Sequence, residues 1–162
     1  MAGLKEGSKA PDFNLPASDG RNISLKDFKG KERVVLYFYP KDDTPGCTVE
    51  ACGFRDKMKQ IENLDAVVLG VSPDGVKSHN QFIEKFKLPF ILLADEDKKT
   101  CKDYGVWVKK SMYGKEYMGV ARTTFIIGKD GKIEKIFEKV KPEGHEGEVL
   151  QSLKSQEALA RS

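Results

Sequence analysis

The chain has 162 residues and a formal net charge of +3, and 39% of its residues are hydrophobic. A chain of this size can bury a core without disulfides or metals, so we expect one domain over residues 1–162 with frayed ends at 1–5 and 156–162. Its Lys residues are scattered among Asp and Glu, which disfavours a nucleic-acid binder. The longest apolar run, residues 34–39, is too short to span a membrane, and no signal-peptide pattern is present. We therefore expect the protein to be located in the cytoplasm.

The first predicted elements are a hairpin and a buried strand. Asp19-Gly20 predicts a tight turn and with it an N-terminal β-hairpin extension. Residues 34–39 (VVLYFY) are a continuous β-branched and aromatic run, which predicts a strand covered on both faces. Pro40 ends this strand and stiffens the loop that follows it.

A long helix is predicted next. Thr44 is a capping residue and Pro45 suits the first helical position, so the helix should run from here to about Ile61. The later predicted elements are a strand at 66–71, a helix at 77–86, a strand at 90–93, a short helix at 96–104, hairpin strands at 123–127 and 132–137, and a helix at 146–160. This order predicts an α/β thioredoxin-like fold, with a central mixed sheet and helices on both faces.

The cysteines point to redox chemistry. There are three of them, an odd number that excludes a fully paired framework within one chain. The sequence does not favour a zinc site, because Cys47 and Cys52 are not accompanied by a second pair of closely spaced ligands. We therefore expect no metal and no cofactor. Cys47 is the third residue of the predicted helix, where free backbone N–H groups and the helix dipole favour a thiolate.

Residues 38–48 (FYPKDDTPGCT) resemble the active-site signature of peroxiredoxins, Pro-x-x-x-Thr-x-x-Cys, filled here by Pro40, Thr44 and Cys47. Cys52, five residues after Cys47, makes the chain similar to the subfamily called peroxiredoxin Q, or bacterioferritin comigratory protein. The segments PDFNLP, DFKGK, YGVW and ARTTFIIGKDGKI agree with the family in order and spacing. The resemblance therefore spans nearly the whole chain.

The resemblance implies a role for each of these residues. Cys47 would be the peroxidatic cysteine, Cys52 the resolving cysteine, and Arg122 the arginine beside the sulfur. An arginine is permanently charged, so it can favour the thiolate and bind peroxide oxygens. The Thr44 hydroxyl could hydrogen-bond the substrate, and Pro40 would stiffen the loop around the sulfur.

The resemblance further implies a thiol peroxidase that reduces hydrogen peroxide and organic hydroperoxides to water and alcohols. Cys47 would become a sulfenic acid and then form a disulfide with Cys52. Thioredoxin, or a related dithiol protein, would reduce that disulfide by exchange. The family also implies a monomer with a part in antioxidant defence.

Helix geometry adds a condition to this cycle. Residues five apart on an ideal helix are roughly 8.7 Å apart between Cα atoms, beyond the ~7 Å limit for a disulfide. Cys47 and Cys52 therefore cannot bridge while the helix is intact, and we expect its first turns to unwind in each cycle.

The sequence leaves alternatives for the third cysteine, for the histidines and for the function. Cys101 is expected to be a buried or semi-exposed structural thiol, with a backup resolving role as the alternative. His79 and His145 stand in no motif and are expected to be surface polar residues. A thioredoxin-like disulfide reductase is disfavoured because the chain lacks Cys-x-x-Cys, and a non-catalytic binding protein on the same fold is the second alternative.

Overall fold

The computed structural model describes residues 3–161. Within them the elements are, in chain order, β1 (Asn14–Pro16), β2 (Asn22–Ser24), a short 3-10 helix (Leu25–Phe28), β3 (Arg33–Phe38), α1 (Pro45–Glu62), β4 (Ala66–Ser72), α2 (Val76–Phe86), β5 (Ile91–Ala94), α3 (Lys99–Asp103), β6 (Trp107–Met112), β7 (Lys115–Val120), β8 (Thr123–Ile127), β9 (Ile133–Phe137) and α4 (His145–Arg161). The expected fraying falls partly on residues 1, 2 and 162, which lie outside the described residues.

The central sheet has five strands in the order β5-β4-β3-β8-β9. β5, β4 and β3 are parallel, whereas β8 runs antiparallel to β3 and β9 antiparallel to β8. The carboxyl ends of the three parallel strands therefore share one edge of the sheet, and the loop from β3 into α1 starts there. This arrangement places the residues before Cys47 next to the segments that follow β4 and β5.

Alternate residues of β3 belong to two separate cores. Val34, Leu36 and Phe38 pack in one cluster together with residues of the β1–β2 hairpin and α3. Val35 and Tyr37 pack in the other, against residues of α1, α2 and α4. A strand covered on both sides has no polar face, which explains the unbroken apolar run. The expected mixed sheet with helices on both faces is confirmed.

The predicted elements are found close to their expected bounds, but the short 3-10 helix and the hairpin β6–β7 are not among the predictions. The N-terminal hairpin has its turn at Asp19, whose carboxylate accepts a hydrogen bond from the Arg21 backbone N–H at 3.0 Å. The hairpin β6–β7 was not predicted, because most of its residues are exposed and it shows no apolar face. No helix among residues 3–161 is long and apolar enough to cross a membrane.

Candidate active site

The candidate site lies at the carboxyl end of β3, where α1 begins. Cys47 is the third residue of α1, and only 1% of its surface is exposed. Pro40 closely follows β3 and Pro45 opens α1, so two rings with fixed φ bracket the loop of residues 40–44. The chain leaves the sheet at the first proline and enters the helix at the second, which sets the sulfur at the sheet edge.

Arg122 connects the Cys47 sulfur with a buried carboxylate. Its Nη2 donates a hydrogen bond to Sγ of Cys47 at 3.3 Å, and its Nη1 donates to Oε1 of Glu50 at 2.7 Å. The Glu50 side chain has no exposed surface, whereas 17% of the Arg122 side chain is exposed. The guanidinium is thus fixed by Glu50 from inside and remains open to a small molecule from outside.

Burial and charge oppose each other at this ion pair. Burial works against the charged form of Arg122, but Glu50 and Cys47 together outweigh it and raise the pKa of the guanidinium. At Glu50 burial prevails over the attraction of Arg122 and raises the pKa of the carboxyl to about 7. In addition, Oε2 of Glu50 finds no hydrogen-bond partner among the described residues. Glu50 therefore titrates near neutral pH, while Arg122 stays charged.

Sequence reasoning did not single out Glu50, although a signal was available. Glu50 follows Cys47 by three residues on a predicted helix, a spacing that places two side chains on the same face. A charged residue on the face that carries a candidate nucleophile needs a partner, and Arg122 is that partner. The expected juxtaposition of Arg122 and Cys47 is found, with Glu50 as an additional member.

Thr44 occupies the capping position of α1, but its side chain does not cap the helix. The hydroxyl donates a hydrogen bond back to the Lys41 carbonyl at 2.9 Å instead. The expected hydroxyl cap is therefore wrong: Oγ1 stabilises the loop rather than the first helical turn. As a consequence, Thr44 leaves the N–H groups of the first turn, next to the Cys47 sulfur, to other acceptors.

Cys52 lies further along α1 and is half-buried. The helix is continuous through both cysteines, and Cys47, Cys52 and Cys101 are all free thiols. The structure therefore does not bring Cys47 and Cys52 together. This is the state in which helix geometry forbids their disulfide.

Both histidines are fully buried, so the expectation of surface residues is wrong. His145 opens α4, shares a hydrogen bond of 2.8 Å with the Thr124 hydroxyl and packs edge-on against the ring of Phe54. His79, on α2, contacts Asp42 of the loop before α1 through Nδ1. These partners are distant in sequence, which is why no short motif revealed them.

Cys101 is buried on α3, as expected for a structural thiol. Burial and the Asp95 carboxylate raise the pKa of its thiol far above the usual range. Cys101 belongs to one core cluster and Cys47 to the other, so the sheet separates them. This separation disfavours the alternative of a backup resolving role.

One group of side chains has the composition of a metal site. Ligand atoms of Asp42, Asp74 and His79 lie within 4.8 Å of one another. Each is already engaged by the protein: His79 uses both ring nitrogens, and Asp74 accepts hydrogen bonds from the Ser72 hydroxyl and the Asp42 N–H. The group is accounted for as a hydrogen-bond cluster.

Known proteins are similar to this chain over most of its length. A family model described as the AhpC/TSA family matches residues 7–136. A putative peroxiredoxin bcp of Coxiella burnetii is 53% identical over 147 residues, covering 91% of this chain and 97% of the relative. Peroxiredoxin Bcp of Bacillus subtilis is 51% identical over 151 residues, covering 93% and 96%. A solved peroxiredoxin Q of Xanthomonas campestris is similar with a TM-score of 0.87 and 37% identity, covering 96% and 98%.

Proposed function

Because the chain belongs to the AhpC/TSA family and is a peroxiredoxin, a thiol-dependent peroxidase, we propose that Cys47 attacks the hydroperoxide and that Cys52 resolves the product. The observation that carries this assignment is the 3.3 Å hydrogen bond from Arg122 Nη2 to Cys47 Sγ. A fixed cation beside a sulfur favours the thiolate over the thiol, and the thiolate is the nucleophile.

In the first step the Cys47 thiolate attacks the terminal peroxide oxygen. An S–O bond forms, the O–O bond breaks, and the leaving hydroxide or alkoxide takes up a proton to become water or an alcohol. Negative charge moves from sulfur to the leaving oxygen, within reach of the guanidinium of Arg122. The backbone N–H groups of the first turn of α1 are the further donors that we assign to the bound peroxide. The Thr44 hydroxyl donates to Lys41, so we assign its oxygen as an acceptor for the O–H of the peroxide.

In the second step the Cys52 thiol condenses with the Cys47 sulfenic acid. An S–S bond forms and the sulfenic oxygen leaves as water. The intact α1 keeps the two sulfurs apart, so the first turns of the helix must open before this step.

A thiol reductant must then return the disulfide to two thiols. We assign this role to thioredoxin or a related dithiol protein, by thiol–disulfide exchange. A chain with three free thiols, one of them exposed to solvent in part, suits the reducing cytoplasm. Organic hydroperoxides join hydrogen peroxide as substrates, since a bacterioferritin comigratory protein of Xanthomonas campestris, 36% identical, has alkyl peroxide reduction activity.

The test is a single turnover with thiol mapping. Fully reduced protein is mixed with one equivalent of hydrogen peroxide, quenched with an alkylating reagent and digested for peptide mass analysis. We expect rapid peroxide loss, a Cys47–Cys52 bridge and an alkylated Cys101. Cys47→Ser should abolish peroxide loss, whereas Cys52→Ser should consume one equivalent and accumulate sulfenic acid at Cys47.

Two outcomes would contradict the assignment. If Cys47→Ser still consumes peroxide, a residue other than Cys47 is the nucleophile. Good reduction of insulin disulfides with negligible peroxide loss would favour the disulfide reductase.

A further inference from the structure

The loop of residues 40–44 is held by a buried group of side chains that the proposed cycle does not use. We name this group the loop clamp and define it as Tyr39, Asp42, Ser78 and His79. Its centre is Asp42, which is only 7% exposed although it belongs to a surface loop. A buried carboxylate is costly unless it is fully hydrogen-bonded, so a group of this kind has a structural or functional purpose.

Each of the other clamp residues makes a hydrogen bond with the carboxyl group of Asp42. Tyr39 Oη donates to Oδ1 at 2.5 Å, Ser78 Oγ donates to Oδ2 at 2.8 Å, and His79 Nδ1 lies 2.7 Å from the same Oδ2. The backbone N–H of Asp42 also donates to Asp74 at 2.8 Å. Asp42 is therefore fixed through both its side chain and its backbone.

Both ring nitrogens of His79 have a partner in the clamp or beside it. Nε2 lies 2.8 Å from the backbone carbonyl of Leu93, a group that can only accept, so Nε2 carries a proton. Both nitrogens of the His79 ring and both oxygens of the Asp42 carboxyl have a hydrogen-bond partner, so the buried pair is satisfied on every side.

The clamp joins segments that all meet at the sheet edge beside Cys47. It links the end of β3 through Tyr39, the loop through Asp42, α2 through Ser78 and His79, and β5 through the Leu93 carbonyl. Asp43, next in the chain, has φ of 55°, a left-handed conformation that is uncommon for residues other than glycine. Thr44 then leads directly into α1, and Cys47 is in its first turn.

We propose that Asp42 and His79 are positioning residues that hold the first turn of α1 so that Cys47 faces Arg122, and that they accelerate oxidation of Cys47 but not its resolution. The inference rests on the proposed function. The two steps place opposite demands on this segment: attack on the peroxide needs the first turn in place, whereas the disulfide needs it unwound. A loosened clamp therefore slows the first step and leaves the second unchanged or faster.

The experiment measures the two steps separately in Asp42→Asn. The carboxamide keeps the shape of the side chain but turns an N–H₂ group toward donors and removes the charge opposite His79. Competition for a limiting amount of hydrogen peroxide gives the rate of Cys47 oxidation, and timed acid quench with alkylation gives the rate of bridge formation. We expect oxidation to slow by about 10- to 100-fold, as expected for a small misplacement of a reacting group.

The chain offers a matched control for the clamp. Lys85 of α2 pairs with Asp43 of the same loop at 2.9 Å, but both side chains are exposed. Lys85→Ala removes a link between the same two elements without touching the clamp, and we expect oxidation within about twofold of wild type. Tyr39→Phe removes one donor to Asp42 and should slow oxidation by a smaller factor than Asp42→Asn.

Loss of stability is controlled by a core variant on the other face of the sheet, Ile133→Val, compared at equal distance below each melting temperature. Unchanged oxidation in Asp42→Asn would overturn the inference. Equal slowing of oxidation and bridge formation, or the same oxidation defect in Ile133→Val, would reduce the clamp to a structural role and overturn it too. If wild type itself fails to consume peroxide or to bridge, the proposed function fails first.

Discussion

Cys47 and Cys101 occupy nearly the same local position in two different helices. Each is the third residue of its helix, α1 or α3, and each is buried, with 1% and 0% of its surface exposed. The difference is the charge beside the sulfur. Arg122 donates to Sγ of Cys47, whereas the Asp95 carboxylate accepts from the backbone N–H of Cys101 at 2.8 Å. Burial and helix position are therefore common to the two cysteines, and the neighbouring charge distinguishes them.

Asp95 also occupies the backbone N–H groups at the start of α3, which could otherwise stabilise a thiolate at Cys101. Its two oxygens accept from the N–H groups of Thr100 and Cys101, so the start of α3 is occupied by a negative group of the protein. At α1 the corresponding cap is missing, because Thr44 turns its hydroxyl back to Lys41. One helix start is closed by a carboxylate and the other is open beside a cation, and only the second suits an anionic nucleophile or a polar substrate.

Removing the cation Arg122 should have the largest effect on the difference between Cys47 and Cys101. In Arg122→Gln we expect the rate of Cys47 oxidation to fall by about 10²- to 10³-fold, the usual loss for one donor that stabilises developing charge. Stopped-flow measurement of peroxide loss in single turnover checks this. Arg33→Gln is the matched control, since Arg33 is a buried arginine paired with Glu134 on the far side of the molecule from Cys47. An equal loss in both variants would show that global stability, not the site, is responsible.

A smaller effect is expected from displacing Arg122 without removing it. A Cβ at Gly46 would lie 3.2 Å from Nη2 of Arg122 and 3.4 Å from Cγ of Pro142. Gly46→Ala therefore shifts the guanidinium by a few tenths of an ångström, and we expect oxidation of Cys47 to slow by about fivefold, less than the 10²-fold loss of a 1 Å misplacement.

The same substitution should leave the fold as stable as before, because alanine is favoured over glycine in a helix by about 0.5–1 kcal/mol. Rate and thermal melting measured together separate the two effects. Slower oxidation with an unchanged or higher melting temperature supports the arginine's placement, and an unchanged rate contradicts it.

Glu50, the buried carboxyl that pairs with Arg122, should make the stability of the protein depend on pH. Burial raises the pKa of its carboxyl from 4.5 to about 7, so between these values the folded protein binds more protons than the unfolded chain. The free energy of unfolding contributed by Glu50 is therefore largest at low pH and falls as pH rises from 4.5 to 7, by on the order of 3 kcal/mol. Urea denaturation of reduced wild type and Glu50→Gln at pH 5 and pH 8 tests this, since the difference between the two proteins isolates the contribution of Glu50. Parallel changes in the two proteins would contradict the assignment.

The sequence was sufficient for the elements that are strongly patterned. The apolar run of β3 and the Thr44-Pro45 start of α1 are local signals, and both elements lie within a residue of their expected bounds. The hairpin β6–β7 lacked such a pattern because it projects into solvent and Tyr113 at its turn is 98% exposed. Its one local signal was Tyr113-Gly114, where both residues take positive φ in the turn.

The site was predictable only where a motif linked distant residues. Cys47 and Arg122 are 75 positions apart, and the resemblance to peroxiredoxins supplied the pairing that spacing alone does not give. His79 and Asp42 carried no such motif, and their contact depends on how α2 packs beside the loop before α1. Cys101 is a second case in which the local sequence does not reveal the contacts of a residue. Its helix position equals that of Cys47, and nothing in the residues next to it reveals whether a cation or a carboxylate faces the sulfur.

The smallest effect is expected at Cys101 itself. Burial and Asp95 raise the pKa of this thiol far above its usual range, so it stays protonated and unreactive at neutral pH. Cys101→Ser should therefore change the rate of peroxide loss by less than about twofold, and in wild type a brief pulse of iodoacetamide at pH 7 should label Cys47 first and Cys101 only after unfolding. Serine also replaces a buried sulfur by a hydroxyl, and melting curves separate any loss of stability from a loss of activity. Early labelling of Cys101 in the folded protein would show that burial and a carboxylate do not suppress a thiol at a helix start, and the comparison with Cys47 would then rest on Arg122 alone.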